Sequence, residues 1–404
     1  MTDTTDLHDW LSALTDEWVL YIKRLSSNDT GLTGGHQSGV YVPKSVMEVV
    51  FPEIQRLDID NPDCKFRARI ISHNLPEQEL RAIFYNSGLR GRGTRNEQRI
   101  TRWNTGITNS PMQDVENTGA LCLLAFHHPE KKYNSDYLQV WVCRNEVEED
   151  LIEAYTGEIF PGQSISGVAS EILGGFGSLP VTKCESLTLP KEWEVKFPEG
   201  RAIVEYVVKK LQFTGLSPDE VLIRRRDCEF AVFRSVEEKH ILNTIREGFS
   251  SVDEFISFAN TVSNRRKSRS GRSLELHLEK IFHEQRLHNF GTQCVTEKRK
   301  TPDFLFPSCE KYHDPDWPDE KLHMLAVKTT CKDRWRQILN EANRIKSPHL
   351  FTLQEGISEH QFREMVAENV TLVVPRPLHE KYPDKVRSQL LSLQDFIEKM
   401  KNQY

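Results

Sequence analysis

The hydrophobic pattern changes once along this chain, and that change constrains the fold more than any other feature. The first 175 residues contain short runs of alternating apolar and polar residues, such as Lys65–Ser72 and Tyr137–Cys143, which are typical of strands. Later residues show longer helical patterns around short apolar strands. A stretch rich in Gly, Ser and Pro, Gly162–Pro190, separates the two patterns and contains the predicted linker. We therefore predict a two-domain α+β protein, with a first domain at 1–173, a linker at 174–184 and a second domain at 185–404.

Length and hydropathy favour a cytoplasmic protein without a membrane span. The 404 residues suffice for two domains with separate cores. The longest apolar run, Ala120–Phe126, is far shorter than the roughly 20 residues that cross a bilayer. The first ten residues are acidic and lack the apolar core of a signal peptide.

The eight cysteines are scattered and form no CxxC pair. This spacing argues against a zinc ribbon and against a disulfide framework. We expect reduced and mostly buried thiols.

The net charge of -6 taken alone argues against a nucleic-acid partner, but the charge is unevenly distributed. Within the acidic first half, Arg90–Trp103 is a Gly-containing segment with five arginines. A second polar loop, Ser26–Gly39, follows the basic pair Lys23 and Arg24. We predict a small β barrel or sandwich that displays two loops, and such local basic arms are compatible with DNA binding.

Two Gly-rich stretches do not form nucleotide-binding motifs. Gly31–Gly39 lacks the Lys-Ser/Thr pair of a P-loop, and Gly174–Gly177 does not join a strand to a helix. We interpret both as loop or linker.

The second half contains the elements of a hydrolytic site. Lys300–Pro307 and His323–Cys331 read as short buried strands, and Lys332–Ile345 shows helical spacing. Upstream, Ser273–Phe282 reads as an amphipathic helix. The second strand bears one charge, Lys328, and a buried strand rarely keeps a lone lysine.

These residues suit phosphodiester hydrolysis. Carboxylates such as Asp303 can hold Mg²⁺, while a lysine such as Lys328 orients water and offsets phosphate charge. The alternative is a turn aspartate and a surface lysine. The usual nuclease pattern has an acid two residues before the lysine, where this chain has Ala326. We expect Glu341, on the next predicted helix, to supply the missing carboxylate.

Five long segments together resemble the EcoRII-like family of type IIE restriction endonucleases. The segments, Tyr21–Pro43, Thr94–Trp103, Ser251–Glu279, Pro302–Ser308 and Met324–Asn343, are spread over most of the chain.

The resemblance implies a homodimer that cuts double-stranded DNA at CC(A/T)GG with Mg²⁺ and is activated by a second copy of the site. It implies an N-terminal β pseudobarrel, similar to the plant B-three DNA-binding fold, that binds the effector site and otherwise autoinhibits the enzyme. It also implies a C-terminal α/β domain of the restriction-endonuclease, PD-(D/E)xK, fold. The alternatives are a non-cleaving DNA-binding regulator and an oligomeric scaffold.

The resemblance also implies roles for individual residues. The catalytic set is Glu275, Asp303, Lys328 and Glu341, of which the three acids are the metal candidates. Arg226 and Tyr312 match positions linked to activity, with a surface cation and a packing tyrosine as alternatives. The DNA contacts implied in the second domain are Lys332, Asp333 and Arg334; those in the first are Lys23, Arg24, His36, Tyr41, Arg95, Glu97 and Arg99.

Two features near these positions bear on DNA affinity. Gly93 and Gln98 stand where the family pattern has lysines, so effector affinity is expected to differ. The basic run Arg265, Arg266, Lys267, Arg269 and Arg272 is interpreted as a phosphate-contact strip rather than a solvated helix face.

Overall fold

The structure, a computed structural model, describes residues 6–33, 39–104, 109–173, 188–332 and 334–404. His36, Asp333 and the predicted linker at 174–184 lie outside these ranges. The chain forms two compact units. The first comprises 1–180 with 355–361 and 381–383, and the second comprises the remainder. No helix in the described ranges could cross a membrane.

The first unit is built on one eight-stranded sheet with the order β2-β5-β4-β3-β7-β6-β1-β8. Its strands are β1 (Trp18–Arg24), β2 (Val40–Tyr41), β3 (Asp63–Ile70), β4 (Gln78–Tyr85), β5 (Glu97–Thr101), β6 (Leu121–His127), β7 (Tyr137–Val142) and β8 (Ser164–Val168). Neighbours are antiparallel except for the parallel pair of β3 and β7. The strands predicted at Lys65–Ser72 and Tyr137–Cys143 are therefore present.

Central strands of this sheet are buried on both faces, which explains the long apolar run in the sequence. In β1, Tyr21 joins one buried cluster, while Leu20 and Ile22 join a second cluster on the opposite face. Strand β6 alternates in the same way, with Leu124 in the first cluster and Leu123 in the second. A continuous apolar run is the pattern expected when both faces of a strand are covered.

Helices of the first unit are α1 (Leu7–Ser12), α2 (Lys44–Val50), α3 (Glu146–Thr156) and α4 (Ala169–Leu173). Asp6 and Asn145 cap α1 and α3 by accepting hydrogen bonds from backbone amides in the first turn. Strand β8 and helix α4 lie inside the stretch Gly162–Pro190, so the first part of that stretch is folded structure rather than linker.

The second unit has a mixed five-stranded sheet with the order β13-β12-β11-β10-β9. Its strands are β9 (Gly291–Thr292), β10 (Phe304–Phe306), β11 (His323–Lys328), β12 (His349–Thr352) and β13 (Thr371–Val373). Pairing is antiparallel from β9 to β11 and parallel from β11 to β13. The predicted two-domain α+β architecture is confirmed.

The helices after residue 200 are α5 (Gly200–Lys210), α6 (Pro218–Glu247), α7 (Val252–Glu284), α8 (Cys309–His313), α9 (Glu359–Ala367), α10 (Asp384–Arg387) and α11 (Leu393–Gln403). A capping box of Ser217 and Glu220 starts α6. The predicted helix Ser273–Phe282 is the last part of α7, and its apolar face packs on Phe304 and Phe306 of β10.

The helix predicted at Lys332–Ile345 is wrong as an α-helix. The chain forms a shorter 3₁₀ helix, Arg334–Asn340, followed by turns. Thr296 donates a hydrogen bond to the carbonyl of Glu341, so this carbonyl is bonded to a side chain from outside the segment.

The expectation that all cysteines are reduced is also wrong. Cys294 and Cys309 form a disulfide. Both sulfur atoms lie beside Gly291, where an added Cβ would come within 2.6 Å and 2.8 Å of them, so this glycine makes room for the bridge. Cys64, Cys122, Cys143 and Cys331 are free.

Candidate active site and nucleic-acid interface

Asp303 stands directly before β10 and is anchored to the neighbouring strand. Its Oδ2 atom accepts a hydrogen bond of 2.7 Å from the backbone amide of Val327 in β11. This bond fixes the carboxylate beside the end of β11, where Lys328 is the last residue.

Lys328 and Ala326 lie on the same face of β11, because side chains alternate along a strand. Ala326 is fully buried, whereas Lys328 is only half-buried. The small side chain of Ala326 stands where an acid would otherwise be. Glu341 interacts electrostatically with both Lys328 and Asp303. The structure thus brings the candidate replacement acid to this strand end from the turn after the 3₁₀ helix.

Glu275 reaches the same cluster from α7. It accepts hydrogen bonds from Arg272 and, at 3.1 Å, from Gln293. Burial, followed by the charge of Asp303, raises the pKa of Glu275 to about 7. Burial also raises the pKa of Asp303, against the opposing effects of the Val327 amide and Lys328. Glu275 and Asp303 share a hydrogen bond in a partly buried site, and the pair therefore retains a proton near neutral pH.

Glu341 has a different environment from the other two acids. Burial raises its pKa; the charge of Lys328 opposes that effect, and the charge of Asp303 adds to it. Its Oε2 atom is buried and has no hydrogen-bond partner among the described residues. An ionised oxygen in such a position needs a cation or a donor.

These acids fit a divalent metal ion. Mg²⁺ prefers hard oxygen ligands and is usually held by one or two carboxylates together with water and substrate phosphate. Within the described ranges, no three acidic, His or Cys side chains form a ready-made cage. The unpartnered oxygen of Glu341 and the anchored Asp303 match the smaller ligand set that Mg²⁺ requires.

Arg226 is not the surface cation considered above, because it is 3% exposed. It donates a 2.6 Å hydrogen bond to Ser273, which in turn donates to Glu229 at 2.8 Å. Arg269 binds the same glutamate at 2.7 Å and 2.9 Å. This buried network links α6 to α7 two residues before Glu275, so Arg226 supports the helix that presents Glu275.

Tyr312 is buried and lies outside the four-residue cluster. Its hydroxyl donates a 2.7 Å hydrogen bond to Glu297. The residue therefore makes a specific polar contact and is more than a packing tyrosine.

The basic run on α7 is not an exposed phosphate-contact strip. Arg266 and Arg269 are buried and paired with Glu237 and Glu229 of α6. Arg265 stacks on the ring of Phe197. The side chain of Lys267 is not described, and Arg272 bonds to Glu275. Packing between α6 and α7 therefore uses the charges of Arg266 and Arg269, which the sequence pattern assigns to DNA contact.

The proposed base-reading segment begins at Lys332, four residues after Lys328. Lys332 and Arg334 are half-buried, and the amide of Lys332 donates to Gln354 at 3.1 Å. Asp333 lies outside the described residues. The two described residues flank the start of the 3₁₀ helix, close along the chain to the candidate catalytic lysine.

In the first unit, the predicted DNA-binding set includes two exposed residues, Tyr41 on β2 and Arg95 just before β5, and the half-buried Glu97 on β5. Tyr41 is 43% exposed. Arg95 stacks on Tyr85 with 3.8 Å between the guanidinium carbon and the ring centre, and it donates to Glu97 at 2.8 Å. Burial raises the pKa of Glu97, but hydrogen bonds from Arg99 and Arg95 outweigh it and the net shift is downward. This patch carries an aromatic side chain, a cation and an ionised acid, which can contact sugar, phosphate and base edges.

Lys23 and Arg24 are buried, which corrects their assignment as DNA contacts. Lys23 pairs with Asp29 at 2.6 Å. Arg24 binds Glu149 and Glu153 of α3 at 2.8 Å and 2.7 Å. Both residues lie at the end of β1, between β6 and β8, and these acids neutralise their charges inside the unit.

Arg99 is also buried, at 3% exposure, and donates to the carbonyl of Gly39 and to Glu97. It therefore orients Glu97 and the end of the first loop. His36, on that loop, lies outside the described residues.

Gln98 does not occupy a DNA-facing position. It is 2% exposed, and its amide exchanges two hydrogen bonds with Gln55, at 2.8 Å and 3.1 Å. A Cβ at Gly93 would lie 2.9 Å from Ser87 Oγ, so a larger residue requires that side chain to move. The expected change in DNA affinity therefore has no basis at Gln98.

Sequence reasoning missed several residues that hold these sites together. Asp29 is fully buried and accepts hydrogen bonds from Lys23, Ser26 and the backbone amide of Tyr41. Glu297 connects Tyr312 to the segment after Glu341. A polar residue within a turn-rich segment gives no sequence signal of such a role, because turns commonly contain Asp and Ser.

Comparison with known proteins agrees with this two-part organisation. A family model described as the EcoRII N-terminal region matches residues 14–171, and one described as EcoRII C terminal matches residues 233–397. The chain is 50% identical over 398 residues to the type II restriction enzyme EcoRII of Escherichia coli, covering 98% of each protein.

Two solved structures show a more distant likeness. Metal-depleted Ecl18kI in complex with uncleaved, modified DNA aligns with a TM-score of 0.41 and 19% identity, over 53% of this chain and 81% of that one. The UbaLAI restriction endonuclease B3 domain with cognate DNA aligns with a TM-score of 0.20 and 19% identity, over 30% and 67%.

Proposed function

Since the chain belongs to the EcoRII family of type II restriction endonucleases, we propose that it cuts double-stranded DNA at CC(A/T)GG in an Mg²⁺-dependent reaction. The observation that carries the proposal is the gathering of Asp303, Lys328, Glu341 and Glu275 at the end of β11. A nuclease centre needs this combination of acidic metal ligands and one cation.

The residues of the cluster have separate roles in the proposed mechanism. Asp303 and Glu341 hold the metal ion, which, when bound, stabilises charge on the attacked phosphate and lowers the pKa of water. Lys328 orients the attacking water and offsets negative charge that develops on the phosphate. Glu275 contacts the metal or the water, and its pKa near 7 allows it to accept a proton at neutral pH.

Base recognition is proposed for Lys332, Asp333 and Arg334. Cationic side chains can donate to O6 and N7 of guanine, and an acid can accept from N4 of cytosine, all in the major groove. Because these residues follow Lys328 by four to six positions, correct base contacts would align the scissile phosphate with the catalytic cluster.

A second copy of the site is proposed to bind the first unit and relieve autoinhibition. The patch of Tyr41, Arg95 and Glu97 supports this role, since it is accessible and chemically mixed. His36 is assigned to the same contact surface by resemblance. Lys23, through Asp29, and Arg99 are assigned to holding this surface in place, and Arg24 to holding α3 against β1. We also propose that the active species is a homodimer.

The first test is digestion of a plasmid that carries several CC(A/T)GG sites, with the fragment ends sequenced. We expect Mg²⁺-dependent double-strand cuts at that sequence. Asp303→Ala should abolish cutting but leave site binding without metal intact. Folded protein that leaves the plasmid whole would contradict the proposal, and an active Asp303→Ala variant would contradict the assignment of that residue.

Activation is tested on a plasmid with one site. Adding a short duplex that contains the site should speed cutting, whereas a duplex with a scrambled site should not. The segment from about residue 185 onward should cut this plasmid faster than the whole chain. Equal rates in both comparisons would exclude activation by a second site.

A further inference from the structure

A tight turn at 296–300, three residues before Asp303, contacts the segment that carries Glu341. Thr296 Oγ1 donates a hydrogen bond to the carbonyl of Glu341. The next residue, Glu297, accepts a hydrogen bond of 3.3 Å from the backbone amide of Asn343. The turn is therefore hydrogen-bonded to the backbone of Glu341 and to that of Asn343, two residues later.

Tyr312 holds Glu297 in this position. Its hydroxyl donates to the same Oε2 atom of Glu297 that receives the Asn343 amide. Burial, together with the neighbouring Glu297, raises the pKa of Tyr312 well above its usual value, so the hydroxyl remains a donor. Arg344 makes a return contact, because its guanidinium donates to the carbonyl of Tyr312.

The backbone of the turn is unusual in a way that points to a positional role. Lys298 and Arg299 both have positive φ, at 56° and 59°, although neither is glycine. Positive φ is uncommon outside glycine, and such residues persist only where the surroundings fix them. A 2.8 Å bond from the amide of Thr296 to the carbonyl of Lys300 closes the turn.

The three acids of the site differ in how they are held. Asp303 is anchored by the Val327 amide, and Glu275 by Arg272 and Gln293. Within the part of the chain that is described, Glu341 Oε2 has no such anchor. Its carboxylate is attracted to Lys328, and the bonds made by Thr296 and Glu297 fix the backbone from which the side chain extends.

We propose that Thr296 and Glu297, with Tyr312 behind Glu297, are positioning residues that aim the Glu341 carboxylate at Asp303 and Lys328. This inference rests on the proposed function. It assigns Tyr312 an indirect effect on catalysis. It also predicts that substitutions at these three residues change the affinity for the metal ion rather than the affinity for DNA.

The test compares paired variants of the full-length chain. Thr296→Val removes the donor to Glu341, whereas Thr296→Ser keeps it. Glu297→Ala removes the acceptor, whereas Glu297→Gln keeps one. Glu320→Ala, an exposed acid on a nearby 3₁₀ helix, is the control. Tyr312→Phe removes only a hydroxyl group, and it replaces Glu297→Ala as the test variant if Glu297→Ala fails to fold.

Two measurements are made on each variant. The first is the Mg²⁺ concentration that gives half-maximal cleavage. The second is binding of Mn²⁺ to the chain without DNA, followed by electron paramagnetic resonance, which does not depend on cleavage. Residues that support a metal ligand typically change affinity or activity by about 10–100-fold. We expect at least a tenfold loss of metal affinity in Thr296→Val and Glu297→Ala, less in Thr296→Ser and Glu297→Gln, and none in Glu320→Ala, with unchanged metal-free DNA binding.

One result overturns the inference when the wild-type chain is active. It is an unchanged half-maximal Mg²⁺ concentration and an unchanged Mn²⁺ affinity in Thr296→Val, Glu297→Ala and Tyr312→Phe. A lower melting temperature without a change in metal affinity would also overturn it, because that result indicates a purely structural role. An inactive wild-type chain is a different outcome, since it refutes the proposed function and this inference with it.

Discussion

The proton that Glu275 and Asp303 retain predicts how metal binding changes with pH. Burial and the charge of Asp303 raise the pKa of Glu275 from its usual 4.5 to about 7. A protonated carboxyl cannot serve as an anionic ligand, so the metal ion must displace that proton. Raising the pH removes the proton beforehand and strengthens metal binding, whereas lowering the pH weakens it.

The size of the effect follows from the pKa. If one proton with a pKa of 7 competes with Mg²⁺, the apparent dissociation constant is about 11 times its limiting value at pH 6 and close to that value at pH 8. The half-saturating Mg²⁺ concentration should therefore rise about tenfold from pH 8 to pH 6. With an ordinary pKa of 4.5, it should change by only a few per cent.

The assay measures initial cleavage rates against Mg²⁺ concentration at pH 6, 7 and 8. Half-saturation is compared rather than rate, because the chemical step has its own pH dependence. Glu275→Gln should flatten the dependence to less than about threefold. Glu279→Gln alters an acid one turn later that pairs with Arg201, and should leave it unchanged. If the half-saturating Mg²⁺ concentration of the wild-type chain changed by less than about threefold between pH 8 and pH 6, the raised pKa of Glu275 beside Asp303 would be refuted.

Three further predictions concern the first unit. Asp29→Asn should lower its melting temperature, because losing one partner of a buried ion pair costs about 3–5 kcal/mol and leaves Lys23 uncompensated; an unchanged transition by circular dichroism would show that the pair contributes little. Tyr41→Ala should weaken duplex binding in a gel-shift assay by about fivefold or more without changing the melting temperature, and equal affinity would remove Tyr41 from the proposed contact surface. Gln98→Lys should lower stability by about 1–3 kcal/mol and leave duplex affinity unchanged, since it replaces a buried amide pair; tighter binding would show that position 98 faces DNA after all.

The sequence predicts strands and apolar helices well in this chain because their patterns depend on local alternation. Strand β3 (Asp63–Ile70) lies within two residues of its predicted ends, and the Glu275 helix is present within α7. The segment after Lys328 has helical spacing but forms a 3₁₀ helix and turns, and Thr296 and Glu297 bind its backbone from about 45 positions earlier in the chain. Spacing alone contains no information about such a contact.

Charge patterns were less reliable than hydrophobic patterns. Lys23, Arg24 and Arg99 occur beside polar loops in the sequence, yet each ends or occupies a strand and is buried against acids. Arg269 on α7 likewise pairs with Glu229 of the neighbouring helix. A basic residue on an exposed surface and one in a buried ion pair look alike in a sequence, since the acid that neutralises it can be more than a hundred positions away.

The members of the proposed catalytic cluster are predicted from the sequence, but the contacts that support them are not. Asp303, Lys328 and Glu341 follow from residue types and from resemblance, and the structure places their charges within reach of one another. The anchoring of Asp303 by Val327 and the turn at Thr296 and Glu297 required coordinates, because both depend on backbone atoms.

The most direct test of the central claim is a comparison of DNA ends produced by the wild-type chain, by Lys328→Ala and by Lys321→Ala, which alters an exposed lysine before β11. Each protein is incubated with the same multi-site plasmid and Mg²⁺, and all ends are sequenced. We predict that wild type and Lys321→Ala give ends at CC(A/T)GG, and that Lys328→Ala gives none while still binding the site. Ends at unrelated sequences, or the same ends from Lys328→Ala, would contradict the assignment of this cluster as a site-specific nuclease centre.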